Sequence, residues 1–122
     1  MKLTLIRGIP GSGKTTLAKS LGIQNHFEAD MFFISGGEYK FNPAKLKEAH
    51  AWCQSQTRNA LARGEDVVTS NTFCRLWEMQ AYLDMAKEYG AEIEIKICSG
   101  DYVNVHGVPG DVVERMRRDF EP

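Results

Sequence analysis

The chain has 122 residues, of which 43% are hydrophobic, and its 15 Lys and Arg against 16 Asp and Glu leave a net charge of −1. That length suits one small globular domain spanning 1–122, with no room for two independent cores. The near-neutral balance argues against a dedicated duplex-DNA binder held by a global positive field.

Cys53, Cys74 and Cys98 are widely spaced and form no CxxC pair, which indicates neither a disulfide framework nor a zinc site. They read as reduced thiols of a cytoplasmic protein. The opening MKLTLIRGIPG has only a short apolar stretch, and no run of about 18 apolar residues occurs, so neither a signal peptide nor a membrane span is expected.

Leu3 to Ile6 is a short, β-prone apolar run, and the glycines after it give way to apolar residues at helical spacing in Thr15 to Leu21. The pattern is strand, glycine loop, helix. Phe27 to Asp30 is a candidate second strand, followed by an irregular excursion from Met31 to Asn42. Asn42-Pro43 starts a helix that runs to about residue 63, before Gly64. Leu46, Ala49, Cys53 and Ala60 lie on one face of it. Asp66 to Ser70 is a third strand, and a helix from about Arg75 to Tyr89 sets Leu76, Met79, Leu83 and Ala86 on one face, with Gly90 ending it. Strict alternation over Glu92 to Cys98 predicts an edge strand that buries Ile93, Ile95 and Ile97. A last helix covers Val112 to Phe120, capped by Asp111 with Glu114 closing a capping box. Strands alternating with helices predict a short, mostly parallel sheet of about four strands flanked by helices.

Gly8-Ile9-Pro10-Gly11-Ser12-Gly13-Lys14-Thr15 matches G-x-x-x-x-G-K-[ST] between a predicted strand and a predicted helix. Glycines let successive N–H groups turn inward toward phosphate oxygens. Lys14 brings a mobile charge to the β and γ phosphates, and Thr15 offers a hydroxyl to Mg²⁺. The expected nucleotide-binding set is Pro10, Gly11, Ser12, Gly13, Lys14, Thr15 and Thr16, with Thr15 as metal ligand. Asp30, at the carboxyl end of the second strand, is the candidate general base; capping a turn or holding a metal-bound water are its other readings.

Arg7 to Lys19 (RGIPGSGKTTLAK), Asp30, the strand-closing Ser70-Asn71-Thr72, and Asn104-Val-His-Gly-Val-Pro109 before an arginine-bearing helix together resemble the P-loop polynucleotide 5′-hydroxyl kinases. The closer likeness is to small kinase-like proteins of phages and to domains of larger eukaryotic proteins. The resemblance implies a three-layer P-loop kinase fold, ATP and Mg²⁺ as cofactors, and Asp30 as the base for a ribose hydroxyl. It further implies a lid at about 101–120 whose arginines, Arg115 and Arg118 foremost, join Lys14 and Asp30 in catalysis. Val113, Met116 and Phe120 form the apolar stripe of the last helix, leaving Arg115, Arg117 and Arg118 outside it.

Two positions depart from the family pattern. Phe33 stands where an acceptor-gripping arginine is common, and the third strand ends in Ser70-Asn71 without a Walker-B acid. Phe32, Phe33, Tyr39, Phe41, Phe73 and Trp77 are either core or stacking surfaces for an acceptor base; His106 and Arg75 are either structural or nucleotide contacts. The expected activity is transfer of the γ-phosphate of ATP to a nucleic-acid 5′ end, nucleoside or nucleotide. The alternatives are a nucleotide-dependent binding module with little turnover and a kinase for another small metabolite.

Overall fold

The computed structural model describes residues 1–99 and 109–122. The apolar start of the chain forms β1 (Lys2–Arg7), and the glycine loop after it leads into α1 (Lys14–Ser20). The second strand, β2 (Asn25–Phe27), ends earlier than the sequence predicts. Asn71 Oδ1 accepts a hydrogen bond from the Ala29 amide at 2.9 Å, taking a donor that a longer strand would give to its neighbour's backbone. The chain then coils into a 3₁₀ helix over Ala29–Phe33, so Asp30 stands in a helical first turn and not on a strand.

The segment read as irregular contains a small antiparallel hairpin, β3 (Ile34–Ser35) with β4 (Glu38–Tyr39). Gly36 and Gly37 turn it with φ of 57° and 81°, the doubly positive pair that a tight hairpin turn requires. Asn42 Oδ1 accepts from the Ala44 amide at 3.1 Å and caps a 3₁₀ turn that runs into α2 (Leu46–Ala62). Ala49, Cys53, Thr57 and Ala60 are its buried face, whereas Leu46, the opening residue, stays 40% exposed.

β5 (Val67–Asn71) is buried along its whole length. A 3₁₀ turn then leads into α3 (Gln80–Tyr89), which buries Tyr82, Met85 and Ala86 and stops at Gly90 in the left-handed region. β6 (Glu92–Ile97) follows, and α4 (Gly110–Asp119) lies near the end of the chain. Pro109, not Asp111, precedes the first turn of α4, and no side chain caps it. Asp111 sits inside that turn, while Glu114 pairs with Arg117 at 3.5 Å instead of closing a capping box.

The four long strands form one parallel sheet in the order β2-β5-β1-β6. Ile6 and Val68 pack against Ala18 of α1 on one side; Leu3, Leu5 and Val67 pack against α2 and α3 on the other. This is the expected three-layer α/β fold, and it puts the glycine loop at the carboxyl end of an interior strand. Thr57 of α2 shares a 2.7 Å hydrogen bond with Thr69 of β5, so both buried hydroxyls are satisfied where helix and sheet meet.

β6 takes the edge position that its alternation predicts. Its isoleucines, paired beside Leu3, Leu5 and Arg7, continue the face on which α3 packs, but β6 is the last strand of the sheet on that side and its outer flank is left open. Ile93, Ile95 and Ile97 consequently remain 37%, 43% and 52% exposed, contrary to the burial expected of them.

Candidate active site

The glycine loop is pinned on both flanks. The Gly8 amide donates to the Thr72 carbonyl at 3.1 Å, and the Cys98 amide donates to the Arg7 carbonyl at 2.8 Å. A Cβ on Gly8 would sit 2.4 Å from Ser12 Oγ and 2.6 Å from the Cys98 carbonyl oxygen, so only glycine fits there. Gly11 and Gly13 have φ of 82° and 95°, and α1 begins directly after Gly13. Pro10 and Gly11 form the half-buried rim of the loop. The Ser12 hydroxyl is buried inside it without a hydrogen-bond partner among the described residues, and Thr16 faces outward on α1.

Lys14 Nζ folds back and donates to the Ile9 carbonyl at 3.1 Å. Burial lowers the pKa of this ammonium, and the charges of Glu28 and Asp30 oppose that shift, so both carboxylates lie within electrostatic reach of it. Sequence reasoning passed over Glu28. Residues of an extended chain alternate between faces, which turns His26 and Glu28 toward α1. There Thr15 Oγ1 donates to the Glu28 carboxylate at 2.9 and 3.1 Å, and His26 Nε2 lies 2.8 Å from Oε2. Burial pushes the Glu28 carboxyl up, but the hydrogen bond and charge of His26, with the Thr15 hydroxyl, outweigh it and hold the group below its ordinary value. The Ser70 hydroxyl also lies close enough to favour that charge. An acid two residues before Asp30, in the same alternation, was the available signal.

Because the Thr15 hydroxyl spends its proton on Glu28, its lone pairs stay available to a cation. Among the described residues no group of three or more His, Cys, Asp or Glu could hold a metal ion. A single hydroxyl ligand without an all-protein cage fits Mg²⁺, which retains waters and takes phosphate oxygens.

Asp30 is half-buried, and the Tyr39 hydroxyl donates to its Oδ1 at 3.1 Å. Burial together with the Asp30 charge pushes Tyr39 up to about 12. Phe33, at the position of the absent arginine, is 5% exposed within an aromatic cluster with Phe32, Tyr39 and Phe41. Of the other aromatics, Phe73 is core at 3% exposure, and Trp77 stands 73% exposed. Trp77 borders a cavity of about 400 Å³ whose walls include Lys47, His50, Gln54, Asn71 and Thr72. Asn71 joins this cavity to the Asp30 turn through its bond to Ala29.

On α4, Val113, Met116 and Phe120 are half-buried and Arg115, Arg117 and Arg118 exposed, the division that the stripe predicts. Arg117 lines a smaller cavity of about 160 Å³ with Ile9 of the loop, Ile97 and Phe120. Arg115 and Arg118 do not border it. Arg75 pairs with Glu121 at 3.1 Å. The first part of the expected lid, with Asn104 and His106, lies outside the described residues.

The profile of a family described as an AAA domain matches residues 3–102. The chain belongs to the AAA domain family. This AAA domain is 29% identical over 133 residues to NEDD4-binding protein 2 of Homo sapiens, a match covering 98% of this chain and 8% of that protein. It is 31% identical over 87 residues to a protein of Acanthamoeba polyphaga mimivirus named as a bifunctional polynucleotide phosphatase/kinase, covering 71% of this chain and 18% of that one. Its fold is shared with a chain of the Pnkp1/Rnl/Hen1 RNA repair complex at a TM-score of 0.72 and 20% identity, covering 98% of this chain and 43% of the other. The AAA domain thus spans less than half of each of these proteins, and it groups with the P-loop polynucleotide kinase-like proteins, as its motifs imply.

Proposed function

We propose that this AAA domain is an ATP-dependent phosphotransferase that moves the γ-phosphate of ATP to a hydroxyl of a nucleic-acid 5′ end, a nucleoside or a nucleotide. The observation that carries this reading is the position of Asp30, coupled electrostatically to Lys14 of the phosphate loop and joined through Ala29 and Asn71 to the cavity below Trp77. Pro10 to Thr16 hold the triphosphate, with Lys14 moving from the Ile9 carbonyl onto the β and γ phosphates. Thr15 would hold a Mg²⁺, which would supply positive charge to offset the negative charge on the phosphate oxygens. Asp30 accepts the proton of the acceptor hydroxyl as its oxygen bonds to the γ phosphorus; the bond from that phosphorus to the bridging oxygen breaks and ADP leaves. Arg115 and Arg118 are the proposed lid arginines, and Arg117, at the cavity beside Ile9, is a third candidate. The polynucleotide phosphatase/kinase among the relatives supports a nucleic-acid end as acceptor.

The test is transfer of label from γ-labelled ATP to 5′-hydroxyl oligonucleotides, nucleosides and nucleotides. Lys14→Ala and Asp30→Asn should both abolish it, the second with ATP affinity retained. Transfer by Asp30→Asn at the parent rate would remove Asp30 as base. The burial of Phe33, where an arginine would grip an acceptor phosphate, favours a second reading, a nucleotide-dependent binding module. Tight ATP binding with no transfer to any acceptor selects that reading.

A further inference from the structure

We infer that Glu28 is the acid of the metal shell: its carboxylate, reached from β2, holds the water ligands of a Mg²⁺ bound at Thr15, in place of the acid that β5 lacks. This rests on the reading that the glycine loop binds ATP with Mg²⁺.

Three observations carry it. The carboxylate is 6% exposed and directed at the one hydroxyl that the loop offers to a metal, accepting its proton at 2.9 and 3.1 Å. A hydroxyl that donates to a carboxylate presents its lone pairs elsewhere, which is the state a cation requires. Beside it, Ser70 near the end of β5 is 1% exposed and sets its hydroxyl against the same carboxylate, so a second buried hydroxyl favours the charged form there. Finally, Phe27 pairs with Thr69, so the strand register sets Glu28 alongside Ser70. The negative charge needed at the end of β5 is supplied from one strand over.

His26, 2.8 Å from Oε2, orients the carboxylate, and Thr15 lies on Oε1. A purely structural Glu28, holding Thr15 and His26 in place, would show the same contacts without a metal. The two roles separate in metal dependence.

The experiment measures binding of the non-hydrolysable analogue AMPPNP with no acceptor present, by calorimetry in EDTA and in Mg²⁺, together with Mn²⁺ affinity by electron paramagnetic resonance. Glu28→Gln keeps the shape and an acceptor for Thr15. It should leave metal-free AMPPNP binding within about twofold of the parent and weaken metal affinity by about 10–100-fold, the usual cost of losing an outer-shell partner. Glu28→Asp should recover part of that loss. Unchanged metal affinity, or an equal loss of metal-free binding, overturns the inference. If Glu28→Gln does not fold, Glu28→Asp decides by the same titrations: metal affinity should fall while metal-free AMPPNP binding stays within about twofold of the parent, and unchanged metal affinity overturns the inference. Because no arm uses an acceptor, a protein that binds metal and nucleotide but transfers nothing defeats the kinase reading alone. A parent protein whose AMPPNP binding ignores metal defeats the inference.

Discussion

Arg7 holds the carbonyl of Phe73 through two donors, Nε at 3.1 Å and Nη2 at 2.8 Å, and among the described residues Phe73 is the one non-glycine with a left-handed backbone, φ 43°. The same guanidinium reaches the Glu121 carbonyl and lies 4.3 Å above the Phe120 ring. A residue at 2% exposure thus links the last residue of β1, the strained turn after β5 and the chain beyond α4. Left-handed geometry costs an aromatic residue about 1–2 kcal/mol, and this clamp offsets it.

Arg7→Ala should therefore lower stability by about 3 kcal/mol, since it strands buried carbonyls that water cannot reach. Urea unfolding measures the loss. Amide exchange supplies the local reading: protection at Glu121, whose amide donates to the Cys74 carbonyl at 2.7 Å, should fall more than protection in α2.

Gly8→Ala forces a methyl group against a backbone oxygen at 2.6 Å, and backbone yields less readily than a flexible side chain. The loop must distort, at about 1–3 kcal/mol. Titration with a fluorescent ATP analogue should show affinity down by more than about tenfold, equivalent to ~1.4 kcal/mol. Gly110→Ala is the matched control: among the described residues nothing lies within 4 Å of its added Cβ, and binding should not change.

Trp77, 73% exposed, contributes little to the fold, so Trp77→Ala should move stability by no more than about 0.5 kcal/mol. As a stacking wall for an acceptor base it is worth about 1–3 kcal/mol, which predicts a raised KM for the acceptor with the KM for ATP unchanged. Steady-state kinetics varying each substrate in turn will tell; an unchanged acceptor KM removes Trp77 from the site.

Glu94 is held down to about 2, from an ordinary 4.5, first by hydrogen bonds from Lys2 and Lys96 and then by their charges. The unfolded chain takes up that proton at the higher pH, so the stabilisation is complete above pH 4.5 and is lost as pH falls toward 2. Glu94→Gln should flatten the dependence of the unfolding midpoint on pH across that window. High salt should mimic it, because the cluster is solvent-exposed and screened.

What the sequence made legible was whatever depends on local backbone chemistry. Gly8 to Thr15, the Asn42-Pro43 start and the Gly90 stop each follow from φ values or caps that few residue types can provide. Register and coverage were not legible. Glu28 acquires its place from β2 lying beside β5, a pairing between distant segments; Asp30 left its strand because the Asn71 side chain took a backbone donor. The isoleucine row of β6 alternates as a buried face should, but how much is covered depends on where α3 lies. Gly36-Gly37, read as part of an irregular excursion, was a local signal for the hairpin.

The parallel sheet has a kinetic corollary. Leu3 of β1 pairs with Val67 and with Ile93, so the strand bearing the phosphate loop gains its neighbours only once segments from far along the chain have docked. Loop closure over such separations is slow, and the loop cannot be complete before those pairings are made. A nucleotide that recognises only the finished loop therefore stabilises all of these distant pairings at once, and its concentration sets how far the whole sheet resists unfolding.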